Sequence, residues 1–346
     1  MHVTSKRRIS AASAAAVAAV IASVVATPSA GSAADSTATG SVFFVNPVQS
    51  TGDQTLTDQK DSDAAVPDSA YQTVTLTNLD GSGYLRGDYA YVRNETGDPA
   101  YSPTGDFTYT RHDDRFEQVM AYYWVTEAQK YLQGLGFGSE LPAVNDEPQD
   151  VRINQWGQDN SYSWDKHDVL RFGKGGVDDA EDGEVVLHEY GHAVQDAQVA
   201  SFGTSLDAGS IGEGFGDYLA VTVGLAVAGT PAPGIDPACV ADWDSVSYTS
   251  GPEHCLRKVN QDLTIEDRRN RVHFDGQIWS RALWDIRQAL GAHVADRIII
   301  NAQFDFAADT SFADAADATV ATAQEMYGAS AAAVVRQAFV DRHILT

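Results

Sequence analysis

Two histidines four residues apart, in a stretch that reads as a buried helix, restrict this chain more than any other feature. His188-Glu189-Tyr190-Gly191-His192 follows Val185, Val186 and Leu187 and precedes Ala193 and Val194. Positions four apart share one face of a helix, so both imidazoles point the same way. Polar groups among apolar neighbours are costly to bury unless something satisfies them. A second apolar stretch repeats the problem, because Glu213 and Asp217 are again four apart within residues 211–219. The fold has to bring these two helices together so that their polar residues answer one another.

A divalent metal resolves the conflict. Zinc takes neutral imidazole at about 2.0–2.1 Å, and catalytic zinc sites use three protein ligands plus a water. His188, His192 and Glu213 are the expected ligands of one catalytic zinc. Glu189 sits beside the first ligand, where its carboxylate can act as general base on that water. Asp217 is expected behind His188, accepting a hydrogen bond from its other nitrogen and fixing the tautomer. For Glu213 the alternative is a carboxylate at a helix start, favoured by the helix dipole. The metzincin pattern, with Gly and then His further along the same segment, is excluded because Gln195 and Gln198 occupy those positions. His273, just before an amphipathic helix read from 275 to 291, is a candidate hydrogen-bond donor to a tetrahedral oxyanion. A lone histidine is more often structural.

The rest of the chain frames these two segments. Lys6, Arg7 and Arg8, then an uncharged Ala/Val-rich run, then Ser32-Ala33-Ala34 give the order of a cleaved export signal over residues 1–34. The run is short for a membrane anchor. A secreted, extracellular protein follows, and Cys239 and Cys255 are then expected to form a disulfide. The net charge of -25 argues against nucleic acid and anionic membranes as partners, and the signal itself contributes only positive charge. Acid-rich surfaces also raise calcium as a possible second ion.

Residues 35–110 read as a β-rich segment, with short antiparallel strands between Tyr71 and Tyr109. A helix is expected over 115–133, two or three strands over 150–172, and an acidic loop from Val177 to Glu184. Helices follow at 183–200, 212–228, 275–291, 293–304, 311–327 and 329–342. Strands first and helices later indicate an α+β protein whose lobes meet at a cleft. The expected division is 111–200 for the first lobe and 201–346 for the helical one.

The blocks His188-Glu189-Tyr190-Gly191-His192, Gly212-Glu213-Gly214-Phe215-Gly216-Asp217 and Val272-His273-x-x-Gly276-x-Ile278-Trp279 resemble the fungalysin family of secreted metallopeptidases. More broadly they resemble the thermolysin-like glutamate-zincins. The resemblance implies a two-lobed zincin fold and hydrolysis of polypeptide substrates by an endopeptidase, here a monomer. It implies zinc at His188, His192 and Glu213, with Glu189 as base and His273 as oxyanion stabiliser. Asn160-Ser161-Tyr162 is similar to the substrate-binding edge of that group, so Asn160 and backbone groups of Ser161 would hold the peptide. Two departures stand out. Residues 193–212 lack the tyrosine that thermolysin-like peptidases use as a second oxyanion donor. Glu184 matches one calcium-ligand position, but the acids downstream do not line up, which puts calcium in doubt. A zinc aminopeptidase would carry a Gly-x-Met-Glu-Asn segment, which is absent. A secreted binding module that keeps the fold without turnover is the alternative of a different class.

Overall fold

Alternating apolar and polar residues build the N-terminal half from short strands around one apolar helix. The computed structural model describes residues 36–251 and 253–346, so the segment read as an export signal lies outside the described residues. Strand β1 (Ser36–Phe43) leads into a short helix α1 (Pro47–Thr51) and then pairs antiparallel with β2 (Tyr71–Leu79). Strands β3 (Ala90–Asn94) and β4 (Asp106–Phe107) follow, then helix α2 (Arg115–Gly134). Strands β5 (Gln149–Ile153), β6 (Tyr162–Trp164) and β7 (Val169–Arg171) complete this half.

The strands form two sheets, one ordered β2-β1-β4 and one ordered β3-β5-β7-β6. The expectation of antiparallel strands throughout residues 71–109 is corrected here. β4 pairs parallel with β1, and β3 pairs parallel with β5. Local alternation says which face a residue takes but not which way its neighbour runs. α2 lies between β3 and β5, and a helical crossover returns the chain in the parallel sense. β6 is antiparallel to β7 and forms an edge of its sheet.

Helix α2 is buried around much of its circumference, with Phe116, Val119, Met120, Tyr122 and Trp124 all inaccessible. Its aromatic stripe is core. Phe43 of β1 packs against Phe116 at 4.7 Å between ring centroids, and Tyr71 of β2 packs against the same ring at 5.5 Å. The segment before α2 is thereby part of the same hydrophobic core as the helices that follow.

The second half is helical: α3 (Gly183–Gln198), α4 (Leu206–Val227), α5 (Val272–Leu290), α6 (Ala292–Ala302), α7 (Phe312–Tyr327) and α8 (Ala329–Asp341). Two starts differ from the sequence reading. Ser205 caps α4 by accepting a hydrogen bond from the Ala208 N–H at 3.0 Å, so the helix begins at Leu206 rather than at 212. α5 begins at Val272, so His273 lies in its first turn rather than in the loop before it. Glu213 is therefore well inside a helix, and the dipole-stabilised helix-start explanation does not apply to it.

α4 runs between α3 and α5 at close range, and glycines make this possible. A methyl group on Gly191 would stand 2.9 Å from the Gly216 Cα, and one on Gly214 would stand 2.3 Å from the Gly276 carbonyl oxygen. Between α4 and α5 the chain forms two short strands, β8 (Cys239–Val240) and β9 (Arg257–Lys258). They pair antiparallel, with Val240 opposite Arg257, and the Cys239–Cys255 disulfide clamps the loop between them at a Cα–Cα distance of 5.6 Å. Among the described residues no helix is long and apolar enough to cross a membrane.

Two outcomes are expected. Gly214→Ala gains about 1 kcal/mol of helix propensity, yet it has to push α5 away. We expect a net loss of about 2 kcal/mol in denaturant unfolding; an unchanged or higher midpoint would contradict this packing. Replacing Cys239 and Cys255 together with alanine should cost about 3 kcal/mol through the freed loop, read by the same unfolding experiment.

Candidate metal centre

The crossing of α3 and α4 brings His188, His192 and Glu213 together, with one donor atom from each lying within 4.8 Å of the others. His188 Nε2 is 3.3 Å from Glu213 Oε2, and His192 Nε2 is 3.8 Å from Glu213 Oε1. Glu213 Oε2 is buried and has no hydrogen-bond partner, although it also lies 3.3 Å from His273 Nε2. A carboxylate oxygen left bare among imidazoles is a site that a cation satisfies. Two imidazole nitrogens and one carboxylate oxygen suit zinc. The residues present fit that ion.

Behind His188 stands a chain of charges. Asp217 Oδ1 lies 2.9 Å from His188 Nδ1, and the Asp217 side chain is almost wholly buried. Arg257 donates to both oxygens of Asp217, from Nε at 2.7 Å and from Nη2 at 2.8 Å. The ring of His188 fits there because position 216 is glycine, where a methyl group would come within 2.8 Å of Nδ1. Arg257 went unrecognised in the sequence. Its signal was indirect: it lies two residues after Cys255, at the end of a loop that a disulfide would close.

The electrostatics separate the two histidines. Burial works against protonation of His188, but Asp217 and Glu213 outweigh it and hold the pKa up at about 10. Burial keeps His192 down at about 4, so its lone pair is free at neutral pH. Burial would also raise Glu213, yet the histidines around it, His188 first, keep it well below the ordinary carboxylate range. His188, His192 and Glu213 would hold a cation in place of the His188 proton.

Glu189 is 7% exposed, and burial raises its pKa to about 7 against the lowering effect of His188. His273 is largely exposed and reaches toward the centre from the first turn of α5. Two cavities flank these residues, one of about 260 Å³ and one of about 490 Å³. Asn160, Ser161, His188, Glu189 and His273 line both. The larger lies on the His192 side and also meets Tyr162, Phe202 and Gly203. Tyr162 begins the edge strand β6 and stacks on Trp156 at 5.2 Å. The smaller lies on the Arg257 side, with Tyr248 at its rim.

The acidic segment before α3 is structural as well as charged. Asp182 caps α3 by accepting from the Glu184 N–H at 2.9 Å, and also accepts from the N–H groups of Trp243 and Asp244, both at 3.1 Å. Glu184 accepts from the Ala241 N–H at 2.7 Å. Among the described residues Glu184 joins no cluster of three metal-ligating side chains. The acids that do cluster, Asp159, Asp179 and Asp244, were not singled out in the sequence.

The thermolysin metallopeptidase alpha-helical domain matches residues 202–344 of this chain. The matched span holds Glu213, Asp217, Arg257 and His273, and begins after the two histidines of α3. No curated protein matches the sequence. Among solved structures, the chain is similar to the precursor of protealysin, a metalloproteinase from Serratia proteamaculans. That likeness has a TM-score of 0.55 at 19% identity, and covers 73% of this chain and 87% of that one. Residues 202–344 thus match the thermolysin metallopeptidase alpha-helical domain, and the fold of the chain is similar to that of the protealysin precursor.

Proposed function

We propose that this chain is a secreted, zinc-dependent endopeptidase that cleaves polypeptides in the cleft between its two lobes. The observation that carries this reading is the bare, buried Glu213 Oε2 facing His188 and His273, with Glu189 beside it. Zinc held by His188, His192 and Glu213 would act as the Lewis acid that acidifies a water and polarises the substrate carbonyl. Glu189 takes the proton from the attacking water and passes it to the leaving amine. His273 donates a hydrogen bond to the oxyanion. Arg257 and Asp217 hold the His188 ring in register. The peptide would lie along the open edge of β6, with Asn160 and Ser161 gripping its backbone by strand addition.

Secretion rests on the order of charge, apolar run and small residues over 1–34, and agrees with a disulfide at Cys239–Cys255. A net charge of -25 leaves peptides, rather than nucleic acid or membrane, as the partners, and the chain acts as a monomer.

Glu189→Gln should keep stoichiometric zinc, measured by mass spectrometry, while kcat/KM on a quenched peptide falls by at least about 100-fold. Retained turnover would remove Glu189 from the mechanism. Asp217→Asn should weaken zinc binding about 10- to 100-fold in a chelator competition; unchanged affinity would reduce Asp217 to packing. The base has to be unprotonated, and burial holds the Glu189 pKa up at about 7. The rate should therefore fall as pH drops below neutrality, and a flat kcat/KM profile between about pH 5 and 8 would contradict the assignment.

A further inference from the structure

The smaller cavity beside the metal centre combines apolar walls with carboxyls that have no partner. Val185, Val240 and Leu256 line it together with Asp179 and Asp244. Asp179 is 2% exposed and Asp244 5%, and each keeps an Oδ1 that is buried and makes no hydrogen bond. The other oxygen of Asp179 accepts from the Ser161 hydroxyl, which ties this carboxyl to the strand edge along which the peptide would lie. Asp159, held by the Tyr248 hydroxyl at 2.6 Å, brings a third carboxyl into the group, with one oxygen of each within 4.8 Å of the others. Arg257 is the one Lys or Arg in the lining, and both Asp217 oxygens engage it. No basic side chain of the cavity hydrogen-bonds Asp179 or Asp244, and the Arg257 charge only partly offsets the burial of Asp244.

We propose that this cavity is a specificity pocket for a lysine or arginine side chain flanking the scissile bond, recognised by Asp179 and Asp244. The inference rests on the peptidase reading above and names its substrate class. The aliphatic stem of such a residue packs on Val185, Val240 and Leu256, as long cationic side chains do on apolar surface. Its charged head then meets the two bare oxygens in charge-assisted hydrogen bonds. Burial raises Asp179 to about 8 and lifts Asp244 well above the ordinary range, the cost of holding acids there without a cation. A leucine in the same place would leave both oxygens unpaired. An acidic side chain would add repulsion.

The test uses the full secreted chain loaded with zinc. Three quenched peptides differ only at the residue flanking the cleaved bond, which is lysine, leucine or glutamate. Lysine should be preferred over leucine by about 100-fold in kcat/KM, always on the same flank of the bond, with glutamate slowest. In the D179N/D244N double variant the lysine-to-leucine ratio should fall toward one. A wild-type preference for leucine, or a ratio that survives in the double variant, overturns the proposal. Calorimetry with n-butylguanidine supplies a readout free of turnover. Binding of one equivalent to the wild type, weakened at least about tenfold in D179N/D244N, supports the pocket. If no peptide is cleaved while this binding holds, the peptidase reading fails and the cation pocket stands. Should the three acids instead bind calcium stoichiometrically, with guanidine binding absent, the cluster is a metal site and the proposal is wrong.

Discussion

The near-contact of α3 and α4 at Gly191 and Gly216 sets the distances in the metal centre. Both positions belong to the segments that carry His188, His192 and Glu213, so the residues that allow close approach and those brought together by it are interleaved. Gly216 leaves room for the His188 ring, and the next residue, Asp217, stands behind it. Glycine in a helix interior normally costs about 1 kcal/mol relative to alanine. α4 accepts that cost at Gly216, where a methyl group would meet the His188 ring, and at Gly214, where one would meet α5.

The same logic explains why so many acids are buried near the site. Asp182 draws the backbone of Trp243 and Asp244 onto the N-terminus of α3, and Glu181 receives both Arg111 and the Trp243 indole N–H. Arg111 also bonds Asp58, so the loop before β2, the start of α3 and the loop after β8 are pinned at one point. A buried Arg–Glu pair is a poor source of net stability, but its hydrogen bonds fix the geometry of the segments they join. Here the constraint places Asp244 beside the cleft and steadies the strand pair that carries Arg257.

Much of this was legible beforehand because two patterns are local. Four-residue spacing on an apolar helix announced His188, His192, Glu213 and Asp217, and helical periodicity marked α2 and the C-terminal helices. What escaped the sequence was non-local. Strand direction depends on what lies between strands, so the parallel pairing of β3 with β5 was invisible in their alternation. Arg257 gains its place from a disulfide and a two-residue ladder, neither of which has a chemical signature in its neighbours. Asp179 and Asp244 read as members of acidic loops, since solvated acids and buried ones look alike until the chain is folded. The start of α4 was misplaced because the Ser205 cap lies before the apolar run that drew attention.

The central claim is that two imidazoles and the Glu213 carboxylate share one zinc ion. X-ray absorption at the zinc edge of the purified protein examines it directly. The account predicts one zinc per chain, four- or five-coordinate, with two imidazole nitrogens at about 2.0–2.1 Å and oxygen completing the shell. Absence of zinc, sulfur in the first shell, or a single imidazole would contradict it.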